Sequence, residues 1–109
     1  MRVLFDHATP APLIRFLAEH SVTRAKDRGW DTLSNGDLLN AAEDAGFEVL
    51  VTTDKNIRFQ QNLAERKIAI VVLGRGRWTL IKPYAAKVLE AINAAMPGGY
   101  IEVEMPHTH

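Results

Sequence analysis

The sequence of 109 residues contains no cysteine. This absence excludes disulfide frameworks, thiolate zinc sites and cysteine nucleophiles, and it is compatible with a reducing cytoplasm. An excess of charge of either sign is also missing, because 13 lysine and arginine residues balance 13 aspartate and glutamate residues. Any contact with nucleic acid must therefore come from a local basic patch.

Long apolar runs are absent as well. The longest, residues 68–73, is far too short to span a bilayer, and the N-terminus lacks the basic and then apolar layout of a signal peptide. We therefore expect a cytoplasmic protein with no membrane partner. The hydrophobic content of 47% suits a globular fold, and we expect one domain over residues 1–109, in which 105–109 form a mobile tail.

What the chain does contain is short apolar runs that end at an acid. Residues 2–5 lead to Asp6, and residues 49–53 lead to Asp54. Short runs without alternation are typical of strands buried on both faces in a parallel sheet. The loops that leave the carboxyl ends of such strands line ligand-binding crevices. Because both acids follow a strand, the sequence predicts that they share one site.

Three further strands are predicted, at residues 21–24, 68–73 and 100–105, and the last alternates in a way that suits a sheet edge. Apolar residues at helical spacing predict four intervening helices. Strands that alternate with helices indicate an α/β three-layer sandwich with a mainly parallel central sheet. The predicted helices are residues 13–20, a helix capped by Ser34 or Asn35 and closed by Gly46, residues 57–66, and a long helix capped by Thr79 that tolerates Pro83 in its first turn.

Three carboxylates are the basis for predicting a metal site. Asp37 lies in the first turn of the second helix, whose N-terminus can face the crevice of Asp6 and Asp54. Mg²⁺ and Mn²⁺ prefer oxygen ligands of this kind, and a bound metal can lower the pKa of a water and stabilise charge on a phosphate. Each acid also has a purely structural explanation. Asp37 can complement the helix dipole, Asp54 can cap the following helix, and Asp6 can hold the proline loop by a side-chain turn.

The segments Val-Leu-Phe-Asp6, Ser-Asn-Gly-Asp37-Leu-Leu and Leu-Val-Thr-Thr-Asp54-Lys-Asn occur in this order. With this spacing, the chain up to about Leu73 resembles a small PIN-like domain, of the short uncharacterised group related to VapC-type toxin–antitoxin ribonucleases. The threonine-any-aspartate motif after a buried strand is its most specific part. The resemblance implies a PIN-like fold and a Mg²⁺- or Mn²⁺-dependent endoribonuclease in which Asp6, Asp37 and Asp54 are catalytic and bind the metal, with Asn56 as a further oxygen ligand. RNA is the expected substrate, and an antitoxin protein and a second copy of the chain are candidate partners.

Two positions depart from the pattern of that group. It usually has an acid directly after the first aspartate and another after the central one, where this chain has His7 and Asn56. Fewer charges predict weaker metal binding. A second hypothesis is therefore a PIN-like scaffold that binds RNA or a partner without cutting. A third is a phosphate-accepting receiver domain with Asp54 as acceptor and Lys82-Pro83 as its lysine, although His7 replaces an acid that receivers need.

Basic and aromatic residues lie near the predicted strand ends. Arginines and a lysine flank Trp78, where they could hold RNA phosphates while the indole stacks on a base. The alternative is a solvated loop whose tryptophan packs on the core. Cations also flank Asp54. The candidate RNA-binding residues are Lys55, Arg58, Arg75, Arg77 and Trp78, with Lys82 beside them.

Overall fold

The computed structural model describes residues 1–57 and 62–105. This part of the chain contains a five-stranded sheet in which all neighbours pair in parallel, so the predicted α/β fold with a parallel central sheet is confirmed. The strands are β1 (Arg2–Phe5), β2 (Ser21–Arg24), β3 (Val49–Thr52), β4 (Ala69–Val72) and β5 (Tyr100–Glu102).

The strand order is β2-β1-β3-β4-β5. The chain therefore leaves β1 toward one edge to form β2 and then continues on the other side with β3. The crevice between β1 and β3 is the point where the order reverses, and ligands of open parallel sheets bind outside the carboxyl ends of the strands at such a point. The register places Phe5 beside Val51, so the residues that follow β1 and β3 emerge side by side.

Burial explains why the central strands lack alternation. All four residues of β3 and of β4 are buried, because the sheet is covered on both faces. The edge strands β2 and β5 are partly exposed, as the polar face of β5 predicted. Val103 and Met105 are also buried, so the packed chain extends past β5 to Met105, and residues 106–109 of the expected tail lie outside the described residues.

Two apolar clusters hold the layers together, one on each face of the sheet. Val3, Phe5 and Val51 point to the first face and Leu4 and Leu50 to the second, which is the alternation that any strand imposes. The described helices divide between these faces. They are α1 (Asn35–Asp44), α2 (Trp78–Ile81), α3 (Ala85–Asn93) and the 3₁₀ helices Ala11–Phe16, Ala25–Arg28, Leu63–Glu65 and Lys82–Tyr84.

Helix α1 forms as predicted. The Ser34 hydroxyl accepts a hydrogen bond from the backbone N–H of Asp37 at 3.4 Å, which caps the first turn. Leu38 and Leu39 are buried on the second face of the sheet. Gly46 follows the helix with φ of 84°, in the left-handed region that glycine tolerates best.

The first predicted helix is wrong, because the chain forms a different type of helix there. Residues 13–20 do not form an α-helix; a six-residue 3₁₀ helix, Ala11–Phe16, takes its place and starts directly after Pro10. Leu13 and Leu17 are buried as the apolar spacing required. Phe16 was expected on the same apolar face, yet it is 43% exposed, because its ring packs on Trp78 at the margin of the core rather than beneath it.

The prediction of one long fourth helix is also wrong, because this region is divided into three elements. The chain forms α2 from Trp78, a 3₁₀ turn over Lys82–Tyr84, and then α3. Pro83 lacks the N–H that a continuous helix needs, so it lies in a tighter turn between two helices. Thr79 is inside α2 and does not cap it, because the helix begins one residue earlier, after Arg77.

The third predicted helix, residues 57–66, lies partly outside the described residues, since the structure does not describe 58–61. In the remainder of that range Leu63–Glu65 form a single 3₁₀ turn. Within residues 1–57 and 62–105, no helix has both the length and the apolar character that crossing a membrane requires.

Candidate functional site

Asp6 lies at the carboxyl edge of the sheet, directly after β1. It is only 9% exposed, and its carboxylate accepts a hydrogen bond from the backbone N–H of Ala8 at 3.1 Å. The Thr9 hydroxyl lies 2.7 Å from the same carboxylate oxygen and 3.0 Å from the carbonyl oxygen of Val51. The bond to Ala8 is the side-chain turn expected for an aspartate that holds the proline loop.

Thr52 connects the two strand-end acids. Its side chain is 1% exposed, and its hydroxyl donates a hydrogen bond to the other oxygen of the Asp6 carboxylate. The same hydroxyl oxygen accepts a hydrogen bond from the backbone N–H of Asp54 at 3.2 Å. One buried hydroxyl therefore fixes Asp6 and the backbone of Asp54 relative to each other.

Asp54 is half-buried two residues after β3. One oxygen accepts a hydrogen bond from the backbone N–H of Asn56 at 2.8 Å, so Asp54 closes a local side-chain turn. The other accepts a hydrogen bond from the side-chain amide of Asn35 at 2.8 Å. Asn35 is the first residue of α1, so this bond holds the N-terminus of α1 against the carboxyl edge of the sheet.

Asp37 is exposed in the first turn of α1, where a negative charge is favoured by the helix dipole. Its backbone N–H donates a hydrogen bond to the Ser34 hydroxyl. Among the described residues, the Asp37 carboxylate does not join the hydrogen bonds of Asp6 and Asp54, and no group of three or more His, Asp or Glu side chains is arranged to hold a metal ion. The structure thus links Asp6 with Asp54, and the metal-binding role of Asp37 stays a prediction.

The carboxylate oxygens at this edge are ligands of the kind that a hard divalent cation prefers. An ionised carboxylate can accept about four hydrogen bonds. Asp6 receives bonds from Ala8, Thr9 and Thr52, and Asp54 receives bonds from Asn35 and Asn56, so each keeps capacity for a further partner. Mg²⁺ is commonly held by one or two carboxylates and keeps several waters. The two carboxylates therefore have the oxygen chemistry that Mg²⁺ or Mn²⁺ prefers, and a cation bound by both of them stays a prediction.

Lys55 and Gly74 bring the loops after β3 and β4 together. A methyl group built on Gly74 would lie 2.4 Å from the Lys55 Cε atom, so the lysine side chain crosses directly over the glycine. Gly76 lies against the other loops, since a methyl group there would be 3.5 Å from the Ala8 carbonyl oxygen and 3.9 Å from Thr53 Cγ2. The loops after β1, β3 and β4 thus pack as one rim.

Two of the basic residues predicted to bind RNA, Lys55 and Arg75, lie together beside the rim. Lys55 is exposed and Arg75 half-buried, and both line a cavity of about 270 Å³ between the rim and the segment that follows β5. Arg75 also donates a hydrogen bond to the backbone carbonyl of Met105 at 3.2 Å. The same cavity is lined by Glu102 and Glu104, so its charge is mixed.

Arg77 is exposed at the start of α2. Trp78 is half-buried and packs against the apolar cluster on the first face, as the structural alternative predicted. Part of its ring remains at the surface beside Phe16. Arg58 lies outside the described residues.

Comparisons with protein-family models, curated proteins and solved structures give no match for this chain. The likeness to PIN-like domains therefore depends on the aspartates and the threonine-any-aspartate motif themselves. Within that motif, the sequence did not reveal that the Thr52 side chain forms a hydrogen bond with another site residue. Its position before Thr53 and Asp54 was visible, but its contact with Asp6, 46 residues away, was not. Asn35 was considered only as a helix cap, whereas it binds Asp54.

Proposed function

We propose that this protein is a PIN-like, Mg²⁺- or Mn²⁺-dependent endoribonuclease of the cytoplasm, acting as the toxin-type component of a toxin–antitoxin pair. The observation that carries the proposal is the pair of strand-end aspartates bridged by the buried Thr52 hydroxyl. The pair lies where the strand order reverses, which is the usual ligand position in an open parallel sheet.

Hydrolysis of an RNA phosphodiester adds water across a P–O bond and leaves a phosphate monoester and a free hydroxyl. A bound divalent cation supplies an activated water and neutralises charge on the phosphate. Asp6 and Asp54 would hold that cation, and Thr52 and Asn35 orient their carboxylates. Lys55 and Arg77 are exposed cations on the same rim and would position the substrate phosphates.

A non-cutting RNA- or partner-binding module is the second candidate, and the positions of His7 and Asn56 favour it. His7 is exposed between Asp6 and Ala8. Asn56 is also exposed, and its backbone N–H donates a hydrogen bond to the Asp54 carboxylate. Neither adds a negative charge to the site. A scaffold of this kind would bind its partner equally well with and without a divalent cation.

The receiver hypothesis has one specific observation in its favour, which is the strand order. The order β2-β1-β3-β4-β5 is that of flavodoxin-like folds, a group to which receiver domains belong. Lys82, however, lies in a 3₁₀ turn between α2 and α3, not after β5. Tight binding of a phosphoryl analogue at Asp54 would favour this hypothesis over the nuclease.

An RNA cleavage assay tests the proposal. We expect a structured RNA to be cut by the natural protein in Mn²⁺ and left intact in EDTA, and Asp6→Ala to abolish cutting. Asp44→Ala is the matched control, because Asp44 is an exposed acid at the far end of α1, and this variant should cut RNA normally. If Asp6→Ala cuts as well as the natural protein, the proposal fails. If no variant cuts but RNA still binds in EDTA, the scaffold takes its place.

A further inference from the structure

A second cleft lies on the first face of the sheet, between the 3₁₀ helix Ala11–Phe16 and α2. It encloses about 150 Å³ and is lined by Arg15, Phe16, Trp78 and Lys82. The centroids of the two aromatic rings are 5.7 Å apart and the ring planes are inclined by 47°. The rings therefore open as a wedge and do not stack face to face.

The cleft offers aromatic surface that the core does not use. Phe16 is 43% exposed, and Trp78 buries one side in the core while its other side borders the cleft. A cavity of about 150 Å³ is large enough to hold a benzene ring. The wedge thus has room for one planar ring against Phe16 and Trp78.

The charge of the cleft is of one sign. Arg15 and Lys82 are both exposed, and none of the four lining residues is acidic. In the part of the chain that the structure describes, neither cation takes part in a salt bridge. A guanidinium and an ammonium beside exposed aromatic rings complement a phosphate next to a base, which is the combination that single-stranded nucleic acids present.

The cleft is connected to the strand-end acids by two short segments. Phe16 ends the helix that follows the loop of Asp6, and Trp78 comes two residues after Gly76. Gly76 packs against Ala8 and Thr53, which belong to the loops of Asp6 and Asp54. The elements that line the cleft thus follow directly from two loops of the rim that carries the carboxylates.

We propose that this cleft binds one nucleotide of a single-stranded RNA, with the base against Phe16 and Trp78 and the phosphate against Arg15 and Lys82. The inference rests on the proposed ribonuclease function, because it names the substrate class of that site. A base in a duplex is stacked between its neighbours and cannot enter the wedge, so the cleft selects unpaired RNA.

Fluorescence anisotropy with a labelled oligouridylate of about 12 nucleotides, in EDTA so that cation-dependent cutting is suppressed, tests the inference. Phe16→Leu keeps an apolar side chain but removes the ring, and we expect it to weaken binding by about 5- to 150-fold. Phe16→Tyr should bind like the natural protein. Lys26→Ala is the control for charge, because Lys26 is exposed on a turn that packs on the second face, and it should change affinity little.

The salt dependence provides a second readout. Arg15→Ala/Lys82→Ala should flatten the slope of log affinity against log salt by about 0.7, because the contact with one phosphate is lost. Both side chains are exposed, so the fold should survive, and far-UV circular dichroism checks this. If the Leu and double variants bind RNA as the natural protein does, the inference is wrong. It is equally wrong if these variants lose affinity for an acidic peptide but not for RNA.

The two proposals fail separately. A protein that binds single-stranded RNA through the cleft but never cuts it would contradict the nuclease and leave the cleft supported. A protein that cuts RNA in Mn²⁺ while the cleft variants bind normally would contradict the cleft and leave the nuclease supported.

Discussion

The hydroxyl of Thr52 donates a hydrogen bond to the carboxylate of Asp6, although the two residues lie on different strands and 46 positions apart. Because Thr52 is 1% exposed and Asp6 9% exposed, water has little access to replace this bond. The bond therefore has consequences both for stability and for the orientation of the acid.

Replacing Thr52 by valine keeps the side-chain volume and removes the hydroxyl. We expect a loss of about 1–3 kcal/mol in the free energy of unfolding, because a buried carboxylate loses a donor. Mn²⁺ affinity should fall about 10- to 100-fold, as is usual when a group that orients a metal ligand is removed. Thr53→Val is the matched control, and calorimetry and urea unfolding provide both readouts. Equal metal affinity in the two variants would show that Thr52 does not orient the site.

Replacing Asp54 by asparagine should leave the fold largely intact. The new carbonyl can accept from the Asn56 backbone, and the Asn35 amide can turn to face the new side chain. Mn²⁺ at about 100 times its dissociation constant should raise the melting temperature of the natural protein by roughly 10 °C and that of the variant little. If Asp54 is only a local cap, Asp54→Ala should instead cost about 0.5–2 kcal/mol and leave the Mn²⁺-dependent shift unchanged.

Replacing Asn56 by aspartate adds a negative charge beside Asp54. Because cation affinity depends on the number of charged ligands, we expect tighter Mn²⁺ binding and faster RNA cleavage than in the natural protein. Asn62→Asp, at another exposed asparagine, is the control for net charge. Unchanged affinity in Asn56→Asp would mean that position 56 does not face the cation.

The Glu43–Arg66 pair predicts a pH dependence. Burial raises the pKa of the Glu43 carboxyl, but hydrogen bonds from the Lys67 backbone and the Arg66 side chain, 2.6 Å away, outweigh it and hold the pKa below its ordinary value of 4.5. A depressed folded pKa contributes stability above pH 4.5, which is lost as pH falls through the folded value. Glu43→Gln should therefore cost roughly 1 kcal/mol at pH 7 and progressively less in acid. A cost that stays constant to low pH would contradict this.

Much of the fold could be predicted from local sequence. The apolar runs before Asp6 and Asp54 are buried strands, Ser34 caps α1, and Gly46 adopts the left-handed conformation after it. These features depend on neighbours within a few residues. The division of the last helical region at Pro83 was missed because apolar spacing continues through it, although the missing N–H prevents one continuous helix.

The site was predictable only in part. The topology of parallel strands brings Asp6 and Asp54 to one edge, and this followed from their positions after strands. The hydrogen bonds from Thr52 to Asp6 and from Asn35 to Asp54 join residues that are 46 and 19 positions apart. A local sequence pattern cannot predict contacts between residues so far apart. Phe16 was placed in the core because its spacing fits, whereas its exposure depends on where the edge of the sheet packing ends.

The central claim is that Asp6 and Asp54 form one divalent-cation site at the carboxyl edge. Calorimetric titration of Mn²⁺ into the natural protein, Asp6→Ala, Asp54→Ala and the control Asp44→Ala tests it most directly. The account predicts one bound Mn²⁺ in the natural protein and the control, and loss of binding in both site variants. Equal Mn²⁺ binding in all four proteins would contradict it.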